Sequence, residues 1–164
     1  MESLADKYIS IDIEKQELRA YEGTQCVFHY SISTALNGVG QQKNSGCTPL
    51  GRHFVRAKIG AGEAIGAVFI GRRPTGEIYS DELAEAYPDR DWILSRILWL
   101  CGQEVGKNRL GNVDTMARYI YIHGTPDSEP MGVPLSHGCI RMRNTDVISL
   151  FQWCPIGCPV IIEA

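Results

Sequence analysis

Apolar and polar residues alternate through the start of the chain. Ile9, Ile11 and Ile13 are separated by Ser10 and Asp12, the period-2 pattern of a strand with one buried face. A second strand is expected at residues 18–21. After the turn Glu22-Gly23-Thr24 comes a third, in which Cys26, Phe28, Tyr30 and Ile32 alternate with Val27, His29 and Ser31. Residues 37–47 are rich in Gly, Asn, Gln and Ser and carry no period, so they read as a loop that Thr48-Pro49-Leu50-Gly51 closes with turn chemistry. Strands resume at 54–59 and 67–70. A helical period comes late: residues 92–101 place apolar side chains at i, i+4 and i+7, with Asp89 or Asp91 as the cap and Gly102 as the stop. A second helix is expected at 145–153, capped by Asn144 and ended by Pro155, before a last strand at 160–162. The elements predict a mainly β single domain with a minor α component.

Composition narrows the class. With 164 residues, 44% of them apolar and 21% charged, the chain fits one compact domain. At this size about 70% of the unfolded surface is buried, so neither disulfides nor a structural metal is needed. Nineteen acidic against sixteen basic residues give a net charge of −3, which removes the electrostatic reason to expect nucleic acid or an anionic membrane as partner. A small molecule or peptide is expected instead. No apolar run approaches the ~18 residues of a membrane span. Residues 1–7 enter the first strand without a basic or apolar leader, so the expected compartment is the cytoplasm and the six cysteines are expected to be reduced.

The chemistry concentrates in two stretches. Arg118 to His123 reads as a strand ending on a histidine, followed by Gly124-Thr125; further on stands Ser136-His137-Gly138-Cys139-Ile140-Arg141. A cysteine after a glycine has an unobstructed backbone amide. A thiol of ordinary pKa, about 8.5, is only slightly ionised at neutral pH and requires an imidazole to take its proton. His137 could reach Cys139 if the loop folds back, whereas His123 could meet it across the fold. Arg52, Arg56 and Lys58, evenly spaced, read as a solvated strand face, Thr48 and Pro49 as a structural turn, and Trp92 and Trp99 as core rather than lid. No P-loop, G-x-S-x-G, H-E-x-x-H or dinucleotide fingerprint is present. No metal is called for either, because Cys154 and Cys158 lack the C-x-x-C pairing of a zinc site.

The combination of a His-Gly strand end with Ser-His-Gly-Cys resembles the signature of the L,D-transpeptidase catalytic domain, or YkuD domain. The Ile9 strand, Thr48-Pro49-Leu50-Gly51-x-x-Phe54, Asp146 and the closing Gly157-Cys158-Pro159-Val160-Ile161-Ile162 stretch follow the family's order. The likeness covers nearly the whole chain and is weakest at 71–116, expected to be a variable helical insertion. It implies a β-sandwich-like fold and cysteine-based acyl transfer on the tetrapeptide stem of peptidoglycan. Cys139 would attack the carbonyl of the penultimate L-centre and expel D-alanine, leaving a thioester. His123 would be the base, and the Gly124 carbonyl, by similarity, would orient its ring. The amides of Gly138 and Cys139 are the expected oxyanion donors. Ser136 and His137 would shape the pocket, and Arg141 would hold a substrate carboxylate as a fork. Part of the family has Asn where this chain has Arg141, which leaves substrate preference open.

Without a leader, water is the expected acceptor: an L,D-carboxypeptidase trimming soluble muropeptides in murein recycling. A second stem as acceptor would give 3-3 cross-links outside the membrane. Other classes are a catalytically silent peptidoglycan-binding module and a thiol redox protein using Cys154 and Cys158. The resemblance also implies a carbapenem-type covalent adduct on Cys139 and no cofactor.

Overall fold

The computed structural model describes residues 6–164. Met1 to Ala5, part of the stretch read for a leader, lie outside the described residues. The opening alternation folds as a meander of β1 (Lys7–Asp12), β2 (Glu17–Glu22) and β3 (Gln25–Ser31), with Ile9, Ile11, Leu18 and Ala20 fully buried. There follow β4 (Gly51–Ile59), β5 (Ala67–Ile70), β6 (Arg73–Ile78), α1 (Asp81–Ala86), β7 (Ile93–Gly102), a short 3-10 turn at Gly111–Val113, β8 (Tyr121–Gly124), β9 (Ile140–Met142), α2 (Asn144–Trp153) and β10 (Pro159–Glu163). Among the described residues the strands form one sheet in the order β3-β2-β1-β10-β4-β7-β5-β6, with β8 paired to β7 and β9 to β8. β10 runs parallel to β1 and antiparallel to β4, which ties the first and last elements together. The main core draws on β1, β2, β4, β7, β8, β9, β10 and α2, so the forked sheet and α2 enclose a common interior.

The expected helix at 92–101 is instead the central strand β7. Its apolar residues suit either period, and what decides is pairing. β7 bonds to β4, β5 and β8, and both of its faces are covered, leaving eight of its ten residues buried. A strand buried on both faces has no polar side to show and so mimics a helix stripe. Asp89 and Asp91 therefore cap nothing. The stretch 71–116, expected to be helical, holds β6, β7 and the single six-residue helix α1, capped by Ser80. β7 also carries a bulge opposite β8, between Leu94 and Ile97, where Ser95 takes φ 72°. The bulge turns the Ser95 hydroxyl inward, to donate to Asn144 Oδ1 at 2.7 Å and accept from Gly66 N at 2.9 Å.

Other expectations shift in detail. Asn144 opens α2 without acting as its side-chain cap, because its amide is spent on Ser95 and on Thr125 O at 2.9 Å. Arg52 and Arg56 face solvent, while Lys58 lies over the Phe151 ring at 4.3 Å. Trp92 and Trp99 are half-buried, against Tyr79 and against Tyr119 and Tyr121 respectively. The six cysteines are free; Cys101, Cys154 and Cys158 are buried.

Candidate active site

Parallel pairing of β8 with β9 builds the site. The register sets Ile122 beside Ile140, His123 beside Arg141 and Gly124 beside Met142. Alternation then divides the side chains by face. Ile120, Ile122, Ile140 and Met142 enter the main core, whereas Tyr119, Tyr121, His123, Cys139 and Arg141 line one cavity of about 430 Å³ on the other face. Sixteen residues of sequence separation between His123 and Cys139 are thus closed by one strand pairing. Ala67, Phe69, Ile97 and Tyr121 form a second apolar cluster, against which Cys139 packs. Arg118, expected within the strand, precedes it in a turn. It donates to Gly40 O, Gln41 O and Cys47 O, fastening the 37–47 loop beside the site.

The motif loop is held from beneath. Thr48 is fully buried; its hydroxyl donates to Gly138 O at 2.9 Å and accepts from Ala35 N at 3.0 Å. The Ser136 hydroxyl donates to Cys139 O at 2.6 Å and accepts from Gly138 N at 3.2 Å. Gly138 sits at φ 127°, and a Cβ there would press on Cys47 O at 3.3 Å, so the position requires glycine on both counts. Of the two expected oxyanion donors, the Gly138 amide is already bonded to Ser136. A third backbone donor lies at the site: the Tyr121 N–H meets Cys139 Sγ at 3.3 Å, while the thiol donates to Tyr119 O at 3.4 Å.

His123 is buried, and its Nδ1 lies 2.6 Å from Gly124 O. A carbonyl can only accept, so Nδ1 carries the proton and Nε2 the lone pair. Ring and thiol border the same cavity without a direct hydrogen bond; the thiol must leave Tyr119 O to give its proton to the ring. Burial pushes the Cys139 thiol up to about 12, against the Tyr121 N–H that favours the thiolate. Burial also pushes the His123 imidazole down, against its bond to Gly124 O and the Asp91 charge. At rest the pair is therefore neutral thiol and neutral imidazole.

Asp91, read in the sequence as a helix cap, is a site residue. Its carboxylate lies 3.1 Å from Arg141 Nη2 and 3.5 Å from His137 Nδ1. Partial burial works against its ionisation, but in the acid range where it titrates the protonated His123 ring, Arg141 and the protonated His137 ring outweigh it and hold the carboxyl below its ordinary range. Arg141 also approaches Glu129 at 3.8 Å and donates to Leu135 O at 3.3 Å; its side chain is only 10% exposed. Two of the five N–H donors expected to fork a substrate carboxylate are thus engaged within the protein, by Leu135 O and Asp91. His137 is mostly exposed at the cavity rim. Sequence reading missed Asp91, Tyr119, Tyr121 and Arg72. Tyr119 and Tyr121 had a signal in their alternation with His123; Asp91 and Arg72 had none.

The family model for the L,D-transpeptidase catalytic domain matches residues 6–162. A putative L,D-transpeptidase of Bacillus subtilis (strain 168) is 48% identical over 48 residues, covering 29% of this chain and 27% of its own length. Among solved structures, Bdellovibrio bacteriovorus Bd1075 aligns with TM-score 0.61 and 17% identity, over 99% of this chain and 50% of its own. L,D-transpeptidase 3 from Mycobacterium tuberculosis, in complex with a faropenem-derived adduct, aligns with TM-score 0.59 and 16% identity, over 97% of this chain and 60% of its own. At such identities the structural likeness shows the fold alone. This chain spans less than two thirds of each of these relatives.

Proposed function

This chain belongs to the L,D-transpeptidase catalytic-domain family, and from that premise we propose that Cys139 cleaves the bond between the L-centre and the terminal D-alanine of a peptidoglycan tetrapeptide stem, through a thioester. The observation that carries the reading is one cavity holding a thiol, a backbone N–H on its sulfur and an imidazole whose tautomer is fixed by Gly124 O. His123 Nε2 takes the thiol proton as sulfur adds to the carbonyl carbon, then returns it to the departing amine. The Cys139 amide, the nucleophile's own N–H, is an oxyanion donor in this reading. Gly138 joins it by sharing the N–H it gives Ser136. Asp91 favours the imidazolium that forms midway, through its charge.

Water is the acceptor in this reading, which makes the domain an L,D-carboxypeptidase acting on soluble muropeptides in the cytoplasm. A cavity of about 430 Å³ is of the size that holds one small ligand. Transfer to the amine of a second stem is the second reading, favoured by a smaller cavity of about 190 Å³ that shares Asp91, His137 and Arg141 with the first. Carbapenem-type compounds are expected to acylate Cys139. Incubation of a disaccharide-tetrapeptide with the protein and with Cys139→Ala, read by mass spectrometry, tests the proposal. Loss of one D-alanine by the wild type alone supports hydrolysis, and a dimer mass supports transfer. An unchanged substrate refutes both. A reporter fusion to the native N-terminus, assayed for export, decides the compartment.

A further inference from the structure

Arg72 stands apart among the charged groups of the Cys139 cavity. Besides the two histidines, that cavity is lined by Arg72, Asp91 and Arg141. Asp91 and Arg141 neutralise one another at 3.1 Å, and Glu129 approaches Arg141 as well. Arg72, at the tip of the β5–β6 hairpin, has no carboxylate within 4.0 Å among the described residues. Its guanidinium is flanked instead by two rings, Trp99 and Tyr119, each 4.8 Å from its carbon to the ring centroid, and Nη1 donates to the Tyr121 hydroxyl at 3.0 Å. Aromatic faces hold a cation in place without cancelling its charge, and a guanidinium is the cation best suited to them. One of its five N–H donors is used by Tyr121, so a fork remains for a planar anion. The Arg72 backbone sits at φ 65°, a region that residues with a Cβ avoid, and the hairpin tip holds it there.

Tyr121 links this cation to the nucleophile. Its main-chain N–H meets Cys139 Sγ at 3.3 Å, while its phenol lies on Arg72 at 3.0 Å. Burial pushes that phenol up, so it keeps its proton and offers a second donor beside the guanidinium. The anchored cation therefore lies one tyrosine side chain from the sulfur. In a substrate, the scissile carbonyl and the carboxylate of the next residue are separated by one residue, about 3.8 Å along the chain.

We propose that Arg72, assisted by the Tyr121 hydroxyl, binds the free terminal carboxylate of the departing residue, and so selects donors with a single residue beyond the scissile bond. The assignment rests on the acyl-transfer reading above for its substrate, but it is tested by binding as well as by turnover. Calorimetry would compare a disaccharide-tetrapeptide ending in a free carboxylate with the same compound ending in an amide, on Cys139→Ala and on Cys139→Ala/Arg72→Gln, each first checked by thermal melting. The acid is expected to bind the double variant about tenfold to a hundredfold more weakly, as loss of hydrogen bonds to a charged group implies. The amide is expected to bind both alike. Equal affinity of the acid for both variants overturns the assignment, and so does an equal loss with the amide, which would make Arg72 a packing residue. In turnover, Arg72→Gln is expected to lose the same factor in kcat/KM on the acid, and Arg72→Lys to regain part of it. Failure of the wild type to release D-alanine refutes the acyl-transfer reading, while the calorimetry still decides the role of Arg72.

Discussion

Gly124→Ala isolates the steric demand beneath the imidazole. Gly124 has no positive φ, so alanine is allowed there by the backbone and the perturbation is one methyl group. That methyl would overlap Asn144 Oδ1 and lie 2.6 Å from Leu94 O. Neither neighbour is free to yield. Leu94 O belongs to β7 in register with Gly124, and Asn144 is fixed by bonds to Ser95 Oγ and Thr125 O. Overpacking of this kind costs about 1–3 kcal/mol, and expelling the Asn144 amide would add about 1 kcal/mol for each buried bond lost. Lower chain entropy in the unfolded state returns about 0.5 kcal/mol. The net expectation is a loss of about 3 kcal/mol, or about 10 °C in Tm for a domain of this size. Because Gly124 O holds the His123 Nδ1 proton at 2.6 Å, a shift of the strand also misplaces the base. Misplacement by about 1 Å is worth about a hundredfold in rate, read as D-alanine release at saturating substrate. A Gly124→Ala protein that melts with the wild type and turns over at its rate would refute both the packing argument and the orienting role of this carbonyl.

Other consequences are open to direct measurement. His53 is wholly buried between Gly51 O and Thr115 Oγ1, and burial lowers it from 6.5 to about 4. The unfolded chain therefore takes up this proton first, so stability is expected to fall as pH drops from about 6.5 to about 4, by about 3 kcal/mol, and to be indifferent to this group outside that window. Urea titrations of the wild type and His53→Gln across this range should show a pH slope that is smaller in the variant, and equal slopes would exclude His53 as its source. Thr48→Val leaves Gly138 O and the Ala35 N–H buried without a partner, at an expected cost of about 2–4 kcal/mol, whereas Thr48→Ser should retain most of the stability in the same melting experiment. Alkylation of Cys139 by iodoacetamide, followed by mass spectrometry, should keep accelerating above about pH 9, since burial favours the neutral thiol. A rate plateau already reached at neutral pH would show a resting thiolate–imidazolium pair instead.

Much of the candidate site is legible in the sequence because it is local. Ser136, Gly138 and Cys139 are adjacent, and a strand that ends His123-Gly124 needs one parallel pairing to reach them. The opening strands were equally plain, since Ile9, Ile11 and Leu18 bury one face and alternate with polar residues. β7 was not, because a strand covered on both faces loses the alternation that distinguishes it from a helix, and its mistaken period also hid Asp91 as a cap. The partners of Arg141 were hidden for a different reason. A cation two residues from a nucleophile looks free in one dimension, while its two carboxylates come from elsewhere in the chain, at 91 and 129. Arg72 is the converse: nothing in Ile70-Gly71-Arg72-Arg73 distinguishes one arginine from the next, and the rings that hold it arrive from β7 and from the turn before β8. Neutralisation and its absence are properties of the folded charge set. A motif therefore brings forward the candidate nucleophile and base, whereas a cation left without a carboxylate emerges only when every carboxylate has been placed.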